Sequence, residues 1–319
     1  MLATIFIILG VIFLLSLLGY LIPQCIVKFS KPLDLKTRYN SGYAVITGGN
    51  SGIGEAFAKK VAKMGFNVII LGQNSERLQK VEAEIKQING DITVRSIQAD
   101  LSGDAEQVSN GIVQKIGDVD ISILFFNAGY GVFESSASPT DNVLRQFHSN
   151  IVTHQYLFQK LYPKLANRKL SSERRGGVLF TASVAGVMQM PGASTYGATK
   201  AYLGHLGECL ATEADFFGID VVSIYPGGVN TRFGERIPQA KVSKSIQSIS
   251  QSGDNVADLA LSSLGRITRL DSGFQSIIVR LITKIIDANI MIFLIKKAAP
   301  SFLKTMGLDL SKGNKNKNE

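Results

Sequence analysis

Residues 2–22 form an apolar run without a single charge. A run of this length matches the roughly 20 apolar residues that cross a bilayer's hydrocarbon core. It has no basic stretch before it, and it exceeds the ~7–15-residue apolar core of a signal peptide, so it predicts a retained anchor rather than a cleaved leader. Residues 23–41, with Pro23 and Pro32, read as a linker. Beyond them two hydrophobic periods alternate. Short apolar runs at 43–47, 67–71, 93–99, 121–126, 178–182 and 220–225 predict strands. Helical spacing at 53–64, 76–88, 104–115, 141–165 and 194–217 predicts the helices between and after them. Strands alternating with helices predict a parallel sheet covered on both faces, and right-handed crossovers make it doubly wound. The expected division is an anchor at 1–22, a linker at 23–41, an α/β domain at 42–270, a hydrophobic and amphipathic segment at 271–310 and a polar tail at 311–319.

The segment 274–303 has two readings. Large apolar residues are dense there, but Arg280, Lys284, Asp287, Lys296 and Lys297 interrupt them. A helix pair packed on the core fits this pattern. So does an interfacial segment whose Lys and Arg stems reach toward headgroups while Ile, Leu and Phe dip into the acyl boundary.

Composition narrows the class. Hydrophobic residues make up 45% and charged residues 18% of the chain, which supports a sizeable core and argues against disorder. Two cysteines, Cys25 and Cys209, suggest neither a disulfide framework nor a metal site. The net charge is +9, and Lys28, Lys31, Lys36 and Arg38 follow the apolar run. That placement points to an anionic membrane surface, whereas no aromatic-plus-basic cluster points to nucleic acid. The same lysines orient the anchor with its C-terminal side in the cytosol. Lys315 and Lys317 resemble a dilysine retrieval signal of endoplasmic-reticulum membrane proteins, in keeping with that orientation.

Two motifs carry candidate chemistry. The first strand runs into Gly48, Gly49, Asn50, Ser51, Gly52, Ile53 and Gly54 before a helix. Gly48 permits a tight turn, Gly52 lets backbone approach a pyrophosphate, and Gly54 lets the helix pack against the sheet, with the helix N-terminus supplying amide donors. Further along, Tyr196 and Lys200 stand four residues apart, on one face of a helix. A cation one turn from a phenol is expected to lower the phenol's pKa toward the range of proton transfer.

The TGxxxGxG spacing resembles the short-chain dehydrogenase/reductase family, and further motifs of that family follow in order. They are Asp100-Leu101, Asn127-Ala128-Gly129, Ser183 thirteen positions before Tyr196, Asn150 in a helix, and Pro226-Gly227 through Val229 and Thr231. The resemblance implies a Rossmann-type fold, a nicotinamide cofactor and hydride chemistry at a C–OH/C=O centre. It implies that Tyr196 protonates the carbonyl oxygen and Ser183 polarises it. Lys200 binds ribose, and Asn150 holds a water in a proton relay. Asp100 meets adenine, the backbone at 127–129 lines the cofactor, and residues 226–231 hold the nicotinamide. At the end of the second strand stand Gly72, Gln73 and Asn74, not the acid of an NAD site, so NADP(H) is the expected cofactor and NAD the alternative. Gln73 departs from the Arg usual among NADP-binding relatives, and Arg77 is the nearest cation in sequence.

Within the family the chain resembles the 17β-hydroxysteroid dehydrogenase / very-long-chain 3-oxoacyl-CoA reductase group. That resemblance implies a membrane-bound reductase of a lipid-like ketone, and a homodimer is compatible with it. A 3-ketodihydrosphingosine reductase and a membrane scaffold without turnover are the competing readings. Substrate choice is expected from the polar stretch between Thr231 and Asn255. His148, His154 and His205 read as ordinary helix residues, and Glu208 and Glu213 as solvated helix positions.

Overall fold

A computed structural model describes residues 1–168, 175–233, 250–305 and 308. Lys315, Lys317 and most of the stretch assigned to substrate choice lie outside the described residues.

The sheet has seven parallel strands in the order β3-β2-β1-β4-β5-β6-β9. These are β1 (Tyr43–Thr47), β2 (Asn67–Gly72), β3 (Val94–Gln98), β4 (Ile121–Phe126), β5 (Gly176–Thr181), β6 (Ile219–Pro226) and β9 (Arg269–Ser272), while β7 (Val229–Asn230) and β8 (Gln251–Ser252) pair apart from it. This is the doubly wound sheet expected, with one strand more. β9 escapes a hydrophobicity pattern because its sequence is RLDS; it is a strand because it pairs with β6 from Ser223 to Pro226.

Because side chains alternate along a strand, each central strand feeds two cores. Ala44, Ile46, Val68, Ile70, Ile123 and Phe125 face α3 (Gly52–Lys63), α4 (Ser75–Ile88) and α9 (Gly253–Ser263). Val45, Ile69, Leu71, Leu124, Phe126 and Phe180 face α5 (Ala105–Ile116), α7 (Thr153–Ala166) and α8 (Ser194–Ala214). Because the strands are parallel, their C-terminal ends lie at one edge, where the loops after them converge. That edge is where a doubly wound sheet binds ligands.

The helix expected over 141–165 is divided. α6 (Asp141–Phe147) and α7 flank a π-helical turn at His148–Val152 with Asn150 in its middle. The extra residue in that turn rotates the facing of α7 relative to α6 without changing the apolar period enough to be read from sequence.

At the N-terminus, α1 (Leu2–Phe29) is long and apolar enough to cross a membrane. It runs past Ile22 and through Pro23, and its last turns dock on the domain. Val27 is buried, and the Gln24 side chain donates to the Arg269 carbonyl at 3.1 Å while accepting from the Asp271 amide at 3.3 Å. The chain beyond α1 does not hang as a loop. α2 (Leu35–Tyr39) buries Leu35 and Tyr39 completely. Arg38 pairs with Asp220 at 2.6 Å, and the Tyr39 hydroxyl donates to the same carboxylate at 2.7 Å.

Arg168 holds the underside of this arrangement. Its guanidinium grips Asp120 with two bonds of 2.6 Å and also donates to the carbonyls of Tyr39, Asn40 and Arg175. A bidentate, largely buried Arg of this kind leaves several groups unpaired when removed. Arg168→Ala is expected to cost about 2 kcal/mol, within the range for leaving buried acceptors unpaired. Urea unfolding in detergent checks it; a midpoint unchanged from wild type would mean the clamp contributes nothing.

Candidate active site

The converging loops enclose a cavity of about 1420 Å³. Gly48, Asn50, Ser51, Gly52 and Ile53 line it from the β1–α3 turn, Gln73, Asp100 and Leu101 from the ends of β2 and β3, and Asn127, Ala128 and Gly129 from the end of β4. Pro226, Gly227, Val229 and Thr231 close it after β6, and Ser183, Tyr196 and Lys200 stand on its wall. The structure therefore brings together every site residue expected from the sequence except two. Gly54 lies behind the loop, where an added Cβ would sit 2.2 Å from the Gly48 carbonyl oxygen and 2.5 Å from Asn127 Nδ2. Asn150 lies behind the wall, fully buried.

The β1–α3 turn fits a dinucleotide. Gly48 takes φ +68°, and an added Cβ would reach the Ala128 Cα at 2.9 Å, so any side chain there would be strained and crowded. Ser51 at the start of α3 makes no side-chain cap, which leaves the first-turn amides directed at the cavity without a capping oxygen. An anion such as a pyrophosphate is the natural partner for those amides. At the ends of β2 and β3, Gln73 donates to Asp100 at 2.9 Å, and both Arg77 and Arg145 line the cavity beside them. Arg145 belongs to no motif in the sequence; it reaches this region from α6, at 3.7 Å from Asp100 and 3.4 Å from Ser102.

The opposite end carries Ser183, Tyr196 and Lys200, the residues expected to act as acid and base. Tyr196 is buried, with Phe133 and Phe233 rings at 6.1 and 5.5 Å. The expected lowering of its phenol is not what this geometry produces. Burial pushes the phenol up to about 12, and the neighbouring Ser183 hydroxyl opposes that only in part. The reason is distance and competition. Lys200 Nζ sits 6.0 Å from the ring centroid and donates to the Thr181 carbonyl at 2.8 Å. Burial also pushes Lys200 down to about 8, weakening the cation that was to act on the phenol. Gly129 makes room for this amine, since its own Cβ would lie 3.1 Å from Nζ.

Asn150 is tied to the site from behind. Its Oδ1 accepts from the Tyr130 amide at 2.8 Å, and its Nδ2 donates to the Tyr130 carbonyl at 2.9 Å and to Thr199 Oγ1 at 3.0 Å. His154 then departs from the expectation of an ordinary helix residue. Its Nδ1 lies 3.1 Å from the Asn150 carbonyl and its Nε2 lies 3.1 Å from Thr47 Oγ1. A carbonyl only accepts, so Nδ1 carries the proton and Nε2 is an acceptor, sharing the single Thr47 hydroxyl proton with the Phe125 carbonyl at 3.1 Å. Thr47 Oγ1 in turn accepts from the amides of Asn127 and Ala128 at 2.9 and 3.0 Å. Glu208 is likewise no plain solvated position: it accepts from the Tyr225 hydroxyl at 2.6 Å and pairs with Arg269 at 2.8 Å. Burial of the polar set Thr47, His154 and Thr199 gives no periodic signal in the sequence.

Burial pushes the His154 imidazole down to about 4, well below the usual value of 6.5. The unfolded chain therefore binds a proton at a pH where the folded chain does not. Stability from this residue is full above pH 6.5 and is lost as pH falls toward 4. His154→Gln, which keeps a polar side chain but does not titrate, is expected to flatten the fall in unfolding free energy between pH 6.5 and 4. Parallel urea titrations at pH 7.0, 5.5 and 4.5 check this; identical acid limbs in the two proteins would show that another group governs the slope.

Residues 42–241 match the family model described as short chain dehydrogenase. A very-long-chain 3-oxoacyl-CoA reductase of Caenorhabditis elegans is 29% identical over 205 residues, 64% of this chain and 65% of that one. The chain thus aligns with just under two thirds of that relative's length. The fold is shared with a 7β-hydroxysteroid dehydrogenase, at 22% identity and a TM-score of 0.71 over 86% of this chain and 100% of that one. It is shared also with a short-chain dehydrogenase from Sphingobium yanoikuyae solved with NADPH, at 22% identity and a TM-score of 0.63 over 82% of this chain and 95% of that one. With the family's motifs gathered around one cavity and its model matched over most of the chain, this protein belongs to the short-chain dehydrogenase family.

Proposed function

We propose that the protein is a membrane-anchored reductase that takes a long-chain 3-oxoacyl thioester, or a steroid ketone of similar apolarity, to the alcohol with NADPH. The observation that carries this reading is the cavity itself. At one end it has a glycine turn and uncapped helix start suited to a pyrophosphate. At the other it has Ser183, Tyr196 and Lys200 beside an apolar wall that includes Phe133, Met190, Phe233 and Phe302. The name of the Caenorhabditis elegans relative supports the choice of substrate class.

A bound nicotinamide supplies the hydride; the chain supplies everything else. A phenol raised to about 12 is almost wholly protonated at neutral pH, which suits Tyr196 as the acid for a carbonyl oxygen. Ser183 stands beside it as a donor to the same oxygen. Lys200 anchors on the Thr181 carbonyl and would hold the cofactor's ribose, and Asn150 fixes the Tyr130 backbone behind it. α1 holds the domain on the membrane, and the basic residues Lys28 and Lys31 after its apolar run favour the cytosolic side for that domain.

The direct test is oxidation of NADPH by the purified protein in detergent with 3-oxoacyl-CoAs of increasing length, steroid ketones and 3-ketosphinganine. Turnover rising with acyl length is expected; a preference for 3-ketosphinganine would move the substrate assignment, and no turnover with any of them would favour a scaffold. Tyr196→Phe is expected to lower kcat by about 10²–10⁴-fold, the usual contribution of a general acid, while leaving cofactor affinity nearly intact.

NADPH is favoured because Gly72 and Gln73 present no carboxylate to a 2′-phosphate, while Arg77 and Arg145 flank that end of the cavity. Arg77→Ala is expected to raise KM for NADPH with little change for NADH, since it removes a charge-assisted contact to the phosphate alone. The ratio of kcat/KM for the two cofactors is the measurement, and an initial preference for NADH would overturn the assignment.

A further inference from the structure

We infer that α10 (Phe274–Ile285) and α11 (Ala288–Thr305) lie on the same bilayer leaflet that α1 enters, so that the apolar end of the cavity opens against the membrane surface. This rests on the reading of α1 as an anchor and adds a second, in-plane contact to it.

The first observation is the direction in which α10 faces. A helix on a water-exposed surface turns its apolar stripe inward. In the first half of α10 the polar residues point in. Ser276 is buried and donates to Asp271 at 3.2 Å, Arg280 pairs with the same carboxylate at 3.2 Å, and Gln275 accepts from the Gly228 amide at 2.6 Å. Phe274, Ile278 and Ile285, spaced at four and seven residues on one stripe, are exposed instead. α11 continues this surface with exposed Ile290, Phe293 and Leu294, three and four residues apart. An apolar surface of this kind on a soluble domain marks an interaction site.

The second observation says what covers it. The surface is continuous with α1. Lys284, near the end of α10, donates to Ser16 Oγ at 3.3 Å and lies 5.7 Å from the centre of the Tyr20 ring. Ser16 is six residues short of Ile22, where the apolar run ends. At 1.5 Å per residue that is about 9 Å inside the boundary when residues 2–22 span. An interfacial helix buries its apolar face about 5–10 Å into the headgroup and acyl boundary. The docking of α1 on α10 therefore carries Ile285 and the turn into α11 to the depth at which such a helix rests. The charges agree. Lys296 and Lys297 are exposed among these apolar residues, on stems long enough to reach anionic headgroups.

The third observation links the surface to the cavity. α11 exposes Phe293 and Leu294 near its middle, yet one turn before its end Phe302 lines the cavity and Leu303 is buried. One helix thus presents a face to the lipid and a wall to the apolar end of the site. A substrate dissolved in the leaflet would meet that wall before it met water.

The chain contains no tryptophan, so a single substitution places a unique reporter. Full-length Phe293→Trp, Ile278→Trp and, as a reference within α1, Phe6→Trp are reconstituted into phosphatidylcholine vesicles containing phosphatidylserine. The acyl chains are either native or brominated, and Ile88→Trp on the far side of the domain serves as the aqueous control. The expected result is blue-shifted emission and loss of most intensity with brominated lipid for Phe6→Trp, Phe293→Trp and Ile278→Trp, with aqueous iodide quenching only Ile88→Trp. If Phe6→Trp is quenched by the brominated lipid while Phe293→Trp and Ile278→Trp respond to iodide, the in-plane contact is wrong and the anchor stands. If Phe293→Trp and Ile278→Trp respond to neither quencher, a second copy or another protein covers the face and the inference is equally wrong. If Phe6→Trp itself escapes the brominated lipid, the anchor reading fails and the inference fails with it.

Discussion

Lys200 brings an ionisable amine into a site where one backbone carbonyl, that of Thr181, receives it at 2.8 Å. Much of the site depends on that contact. The carbonyl belongs to the last residue of β5, so the amine is fixed to the sheet and not merely to its own helix. Gly129 has to be small because the amine occupies the space of its missing side chain. Burial of a lone cation is costly and drives the amine toward its neutral form, to about 8. Four residues earlier on α8, Tyr196 is buried among aromatic rings and stays protonated. Two groups on one helix face are thus moved in opposite directions by the same cause. The phenol is kept as a proton donor and the amine is brought close to the pH at which it can give or take a proton.

Behind this pair runs a polar chain that ties the two ends of the site together. Thr47, at the end of β1, collects the Asn127 and Ala128 amides and shares its hydroxyl proton between the Phe125 carbonyl and His154. His154 donates to the Asn150 carbonyl, and the Asn150 side chain bonds Tyr130 and Thr199, the neighbour of Lys200. Each member is buried and paired, as the low local dielectric demands. A displacement at the glycine turn is therefore felt at the helix that holds Tyr196 and Lys200, through hydrogen bonds with fixed donors and acceptors. The π-helical turn is what makes Asn150 available to both sides: its side chain faces Tyr130 and Thr199 while its carbonyl remains open to His154.

The sheet was legible where burial and period coincide. Strands buried on both faces, such as Ile121–Phe126, read as continuous apolar runs, and helices such as Ser75–Ile88 carry a clear amphipathic stripe. The gathering of the motif residues around one cavity was legible because their spacings follow the strand ends. The features that escaped were set by partners distant in sequence. β9 has too few apolar residues to announce itself and is held by pairing with β6. Arg145 enters the cofactor end from a helix whose own sequence says nothing of that cavity. His154 looks like any helix residue until Thr47 is placed 3.1 Å away, and the rise in the Tyr196 phenol could not be foreseen without knowing that burial outweighs a lysine 6.0 Å from its ring.

The strand that the sequence concealed is also the one that fixes α1. Arg269 and Asp271 of β9 receive Gln24 from α1 through their backbone, and the Asp271 carboxylate receives Ser276 and Arg280 from α10. Burial pushes that carboxyl up, and the nearby Arg269 guanidinium pulls it back, so its ionised form depends on the cations that converge on it. A flexible linker would let the domain turn freely relative to α1. Here α1, β9 and α10 share one hydrogen-bonded junction at the edge of the sheet, and β9 is bonded in register to β6, whose C-terminal end borders the cavity. The orientation of the cavity relative to α1 is accordingly a property of the fold. Attachment to a membrane through α1 would then select which face of the domain meets the lipid.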